Sequence, residues 1–258
     1  VRPSYWRPYD GGVPNEARVD QVLAWLRYPA AYRPHMITLY MSTTDAVGHA
    51  YGPDSPEMAS AVASVDAAIG RLATGIDALD FASQVTLIVV ADHGMDGYDV
   101  TGRRYVADVT SLQGVTIPNS GPAANLHVEG GPAAAEALRD AADALPGVAA
   151  YLRHDVPSRL HYRADPRIGD VVLVADSGVV VYPANDRPES PGWTHGWDNA
   201  LLSMRALFVA RGPSIPKGRI LEPFELIQVY PLVTRILGIA PGPGIDGDAS
   251  FWNGILGG

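Results

Sequence analysis

Three short clusters of carboxylates and imidazoles carry the chemistry that this sequence can offer. They are Asp45-Ala46-Val47-Gly48-His49, Asp92-His93-Gly94-Met95 and Thr194-His195-Gly196-Trp197-Asp198-Asn199. An aspartate and a histidine spaced like Asp45 and His49 share one face if their stretch is a helical turn. Asp92 and His93 would point to opposite faces of a regular strand, but Gly94 lets the backbone break there so that both converge. Neutral imidazole with carboxylate is a donor set suited to Zn2+. Asp45, His49, Asp92, His93 and His195 together exceed the needs of one closed tetrahedral site. A pair of ions about 3.5–4 Å apart is the alternative, and such a pair clamps both oxygens of an in-line phosphoryl displacement.

Each cluster alone has an ordinary structural reading. Asp92 could cap a helix after a strand, His93 could be a satisfied core histidine, and His195 could order a loop. Their joint placement favours metal, because the first two follow strands, and ligands of open α/β sheets collect at strand carboxyl ends. His35, His127, His154 and His161 lack a comparable setting and are given no role.

The elements that must position these clusters alternate in type. A helix is expected over Glu16–Leu26, with Val19, Val22, Leu23 and Leu26 on one face. Met36–Met41 is a nearly continuous apolar run, expected to be a strand covered on both faces. Ser55 as N-cap and Pro56 at the first helical position open a long helix, with Val62, Val65, Ile69, Leu72, Ile76 and Leu79 as its apolar stripe. Val85–Ala91 reads as the next buried strand, which makes a βαβ unit with a parallel sheet. Ala206–Ala210 is a further core strand, followed by a helix from Phe224 to Leu237 that Pro231 bends or interrupts.

Between these halves the texture changes. Asn125–Val128, an Ala-rich helix at Pro132–Leu145, Val171–Ala175 and Val179–Tyr182 describe an α+β lobe. The expected organisation is a metal-binding α/β core at 1–97 and 192–258, with the lobe inserted at 98–191. Pro241-Gly242-Pro243-Gly244 marks a loop near the end.

The balance of 19 Lys+Arg against 28 Asp+Glu gives a net charge of −9. That argues against binding a nucleic-acid duplex, which needs a basic face to displace counterions. A phosphate ester remains a suitable ligand if cations lie between it and the protein. There is no cysteine among the 258 residues, which excludes a disulfide framework and a thiolate nucleophile. No apolar run approaches membrane-spanning length. The chain opens at Val1 without methionine and without a signal-like segment, as a mature or truncated product would.

The clusters, with Leu39-Tyr40, the continuation Ala50-Tyr51-Gly52-Pro53, Val65-Asp66 and Tyr5-Trp6-Arg7-Pro8-Tyr9-Asp10, resemble the nucleotide pyrophosphatase/phosphodiesterase family of the alkaline phosphatase superfamily. The resemblance covers nearly the whole chain but only about the carboxyl-terminal two-thirds of the family's catalytic domain. It implies an alkaline phosphatase-like α/β fold, with a largely parallel sheet flanked by helices. It also implies two Zn2+ ions (or other divalent metals), one held by Asp45, His49 and His195, the other partly by Asp92 and His93. Tyr40 matches an aromatic position that stacks on the substrate's base, and Tyr9 would line the same pocket.

The family's threonine nucleophile, a further aspartate ligand and a phosphate-binding asparagine would lie before Val1; Thr43 and Thr44 do not match that threonine. The implied activity is hydrolysis of phosphodiester or pyrophosphate bonds in nucleotides, in a periplasmic or extracellular setting. A non-catalytic metal- or nucleotide-binding fragment, a phosphonoacetate hydrolase and a phosphomonoesterase are the alternatives. The chain alone is expected to be poorly soluble unless it associates with the missing segment or a second subunit.

Overall fold

The computed structural model describes residues 2–184 and 190–256. Val1 and 185–189, within the spans expected as core and lobe, lie outside the described residues, as do 257–258. In chain order the first elements are α1 (Asn15–Leu26), α2 (Thr43–Tyr51), α3 (Pro56–Asp77), β1 (Leu87–Val90), β2 (Asp96–Tyr98), β3 (Arg103–Tyr105), β4 (Val115–Asn119) and β5 (Ala123–Val128). Then come α4 (Pro132–Ala142), β6 (Val148–Leu152), β7 (Val171–Ala175), β8 (Val180–Tyr182), β9 (Gly192–Thr194), β10 (Phe208–Arg211) and α5 (Val229–Ile236). The chain forms two compact units, one of residues 1–44, 59–92 and 207–258, the other of 45–58 and 93–206.

The first unit is built on α1 and α3. Val19, Val22, Leu23 and Leu26 of α1 bury against Ala68, Leu72 and Ile76 of α3. Gly75 allows their close approach, since a Cβ there would come within 2.5 Å of Leu23 Cδ1. Ser55 caps α3 as expected, its Oγ accepting from the Met58 N–H at 3.1 Å. The buried stripe of α3 differs in part from the expected one: Ala61 and Ala68 are inside, and Val62 is half exposed. An apolar stripe does not by itself tell which of its residues the packed face will cover.

The strand expected at Met36–Met41 joins no ladder among the described residues, so its parallel pairing with β1 is absent there. Ile37, Leu39 and Met41 pack on the first unit's core, while Met36 and Tyr40 are each 54% exposed. The run is therefore covered on one side, and an apolar run cannot distinguish that from burial on both. β1 pairs instead with β10, antiparallel, with Val89 opposite Val209. The helix expected from Phe224 begins later, at Val229, after a 3-10 turn at Leu226–Gln228. Pro231 thus falls in its first turn, where a missing N–H costs nothing.

The second unit holds a four-stranded antiparallel sheet in the order β4-β5-β7-β6. Its central strand β7 is apolar throughout because both faces are covered. Val171, Leu173 and Ala175 meet α4 residues Ala135, Leu138 and Ala142 in one cluster, while Val172 joins Val156 and Ile168 in another. Full burial of a side chain such as Leu173 is worth about 1.5–3 kcal/mol. β3 with β8 supplies a parallel ladder, and β2 with β9 an antiparallel one.

Candidate metal centre

The first cluster is α2. Asp45 sits in its first turn and His49 one turn on, so both project from one face, as the spacing predicts. Beside this face the helix is packed closely at Gly48, where a Cβ would lie 2.9 Å from Met95 Cε and 3.2 Å from Met58 Cε. Gly52 ends the helix in the left-handed region at φ +87, its N–H bonded to the Gly48 carbonyl at 2.9 Å.

His195 follows β9, whose Thr194 pairs with Asp96 of β2. Gly196 takes φ +106, and Trp197 then buries its ring, its Nε1–H donating to the Val179 carbonyl at 2.7 Å. This turn directs His195 Nε2 to 3.7 Å from Asp45 Oδ1, while His49 Nε2 lies 3.4 Å from the same oxygen. The ligand atoms of the three residues are all within 4.8 Å of one another. Among the described residues they form the one group of three or more His, Cys, Asp or Glu with that property.

Two observations show that the trio fits a metal ion. Asp45 Oδ1 is buried without a hydrogen-bond partner, and such an acceptor is costly unless a cation or donor meets it. Ligands about 2.1 Å from a tetrahedral ion lie roughly 3.4 Å apart, which matches the two Asp45–imidazole separations. The orientation of His49 agrees. Its Nδ1 lies 2.9 Å from the Trp193 carbonyl, which can only accept, so Nδ1 carries the proton and Nε2 keeps its lone pair toward Asp45.

The remaining predicted residues divide. His93 lies beside the trio without being one of it: its ring stacks on His195 with centroids 3.5 Å apart and planes 10° from parallel, and its Nδ1–H donates to the Gly94 carbonyl at 2.9 Å. Asp92 precedes it in the chain, exposed, in the first unit just past β1. Gly94 serves differently from the expectation. It lies outside the left-handed region and is needed for close approach, since a Cβ would sit 1.9 Å from the Ser203 carbonyl oxygen. Tyr9 and Tyr40 form a pair in the first unit, ring centroids 5.8 Å apart, with the Tyr9 hydroxyl donating to Ser42 Oγ at 2.9 Å.

Two contributors had no sequence signal. Trp193 acts through its main-chain carbonyl, which any residue type provides. Arg159 forks onto Asp198, with Nη1 donating to Oδ1 at 2.7 Å and Nη2 to Oδ2. That fork holds the Asp198 carboxyl below its usual range.

Comparison with known proteins gives the family and the fold. Residues 1–198 match the family described as type I phosphodiesterase / nucleotide pyrophosphatase. Ectonucleotide pyrophosphatase/phosphodiesterase family member 3 of Mus musculus is 34% identical over 249 residues, covering 93% of this chain and 28% of that protein. The chain thus spans less than a third of the length of that relative. The solved structure of murine ectonucleotide pyrophosphatase/phosphodiesterase 5 superposes with a TM-score of 0.87 at 29% identity, over 99% of this chain and 67% of that one. An inactive threonine-to-alanine variant of the same murine protein, in complex with AMP, superposes with the same TM-score, identity and coverage. The fold is accordingly the alkaline phosphatase-like α/β fold of these structures. With its sequence match and its fold in agreement, the chain belongs to the type I phosphodiesterase / nucleotide pyrophosphatase family.

Proposed function

We propose that this chain is the metal-binding portion of an enzyme that hydrolyses phosphodiester or pyrophosphate bonds in nucleotides. The observation that carries the reading is the convergence of Asp45, His49 and His195 around the partnerless Asp45 Oδ1. These three residues would hold one Zn2+, and Asp92 with His93 would supply ligands to a second. A bound divalent ion supplies Lewis-acid stabilisation of charge on phosphoryl oxygens.

The chain's own residues prepare the site. Trp193 keeps His49 in the tautomer that offers Nε2, and the 194–199 turn presents His195. Tyr40 and Tyr9 give the exposed aromatic surface on which a base would stack. The AMP bound by the murine structural relative supports a nucleotide as ligand here. The nucleophile in this reading is a threonine outside these 258 residues; that a threonine-to-alanine variant of the murine relative is inactive supports a threonine in that role. An extracellular or periplasmic location agrees with the name of the ectonucleotide relative; no helix among the described residues is long and apolar enough to cross a membrane.

The test is to express the protein from its whole gene and to assay bis-p-nitrophenyl phosphate beside p-nitrophenyl phosphate. The diester should be preferred, and Asp92→Ala and His93→Ala should abolish turnover with unchanged melting of the metal-free protein. Preference for the monoester would indicate a phosphomonoesterase. Absence of both activities with stoichiometric metal bound would indicate a binding protein.

A further inference from the structure

We propose that Arg159 is a positioning residue for His195, through which a loop distant in sequence sets the affinity of the Asp45–His49–His195 group for its ion. This rests on the metal reading given above.

His195 is held on its amino-terminal side by the β2–β9 ladder and on its carboxyl-terminal side by two anchors. One is the Trp197 indole bond to Val179. The other is Asp198, whose Oδ1 also accepts the Ala200 N–H at 2.9 Å, closing the turn. Arg159 grips this second anchor with both terminal nitrogens, and its Nη1 reaches Asn199 Oδ1 at 3.3 Å. A planar two-point fork fixes the orientation of the carboxylate, where a single ammonium contact would leave it free to swing.

Arg159 is itself well placed to act as a fixed support. It lies in a 3-10 turn, Ser158–Leu160, whose Leu160 packs on the Val156–Ile168–Val172 cluster. Next to it, the Tyr162 hydroxyl accepts from Asn125 Nδ2 at 2.9 Å, and Asn125 is a buried residue of the central sheet whose Oδ1 accepts the Gly169 N–H at 3.0 Å. The route from sheet to turn to imidazole is therefore continuous. Loss of the fork lets the turn relax and carries His195 Nε2 away from Asp45.

The experiment titrates the metal-stripped protein, expressed from its whole gene, with Co2+, reading affinity by competition with a chromophoric chelator and coordination from the d–d absorption. Arg159→Ala should bind Co2+ about tenfold more weakly, with an altered band. Arg159→Lys should fall between it and the unsubstituted chain. Arg167→Ala removes a comparable fork, onto Asp165, and should change neither reading.

Unchanged affinity and spectrum in Arg159→Ala, or an equal loss in Arg167→Ala, would overturn the proposal. Should Arg159→Ala fail to fold, Arg159→Lys decides: intermediate affinity supports the role and full affinity refutes it. If the unsubstituted chain binds no Co2+, or His195→Ala binds it as tightly, the metal reading itself fails.

Discussion

The Nδ1–H of His49 donates to the main-chain carbonyl of Trp193 at 2.9 Å, so one histidine's usable lone pair depends on where another residue's backbone sits. That backbone is located by the Trp193 ring, which fits against two glycines. A Cβ at Gly52 would meet the ring at 2.5 Å, and one at Gly97 at 2.7 Å. Gly52→Ala should therefore do two things: strain a left-handed position, at a cost of about 1–3 kcal/mol, and displace Trp193. Gly178→Ala provides the comparison, because Gly178 has φ +77 but open space around its would-be Cβ. Melts should fall for both, whereas Zn2+ affinity should drop about tenfold for Gly52→Ala alone. Equal metal affinity in the two variants would contradict the link between Trp193 and His49.

Asp45 offers a prediction with opposite signs in the two metal states. Its buried, partnerless Oδ1 costs about 1–3 kcal/mol in the metal-free chain. Its favourable position in the first turn of α2 returns roughly 0.3–1 kcal/mol through the helix dipole. The desolvation penalty outweighs the dipole's contribution, so Asp45→Ala should melt at a higher temperature than the unsubstituted chain in chelator. With Zn2+ at a hundred times its dissociation constant, the unsubstituted chain should gain about 2.7 kcal/mol and the variant much less. A lower metal-free melting temperature for Asp45→Ala would show that the oxygen has a protein partner after all.

What could be read from the sequence was mostly local. The spacing of Asp45 and His49 predicts one helix face because a helix repeats every 3.6 residues, and α2 obeys it. Ser55-Pro56 marks the start of α3 through capping chemistry that needs no tertiary context. The arrangement of Met36–Met41 was not legible, because strand pairing depends on a partner that periodicity does not name. Likewise nothing about Arg159 or Trp193 distinguishes them in the sequence: one acts across the long separation to Asp198 and the other through a carbonyl. The family motifs pointed to His195, but its orientation comes from Trp197 and Arg159, which tertiary packing alone brings into place.

The Arg159–Asp198 fork also predicts how stability responds to acid. Arg159 holds the folded-state carboxyl of Asp198 below its ordinary value of 3.8. Stability from this depressed group is fully present above the unfolded value and is lost as pH falls through the folded one. Asp198→Asn should thus be less stable than the unsubstituted chain at neutral pH, with the gap unchanged down to about pH 5 and closing below about pH 4. Paired thermal melts from pH 7 to 3 measure that gap. A difference that persists unchanged at the acid end would mean that Asp198 stabilises the turn by shape and not by charge.

The pair formed by Tyr9 and Tyr40 is the part of the first unit to which the nucleotide reading assigns a task. Tyr40 is 54% exposed and Tyr9 64%, an amount of aromatic surface in water that the packing of residues 36–41 does not require. Stacking of a base on such a ring is worth about 1–3 kcal/mol, which corresponds to a change of roughly tenfold or more in binding. In the enzyme expressed from its whole gene, Tyr40→Ala should raise KM for thymidine 5′-p-nitrophenyl phosphate by about tenfold or more, with little change in kcat. Methyl p-nitrophenyl phosphate has the same leaving group but no base, so its KM should hardly move. Tyr40→Phe keeps the ring face and should behave like the unsubstituted enzyme. An equal effect of Tyr40→Ala on both esters would remove the tyrosine from base recognition and leave it as support for the segment that leads into α2.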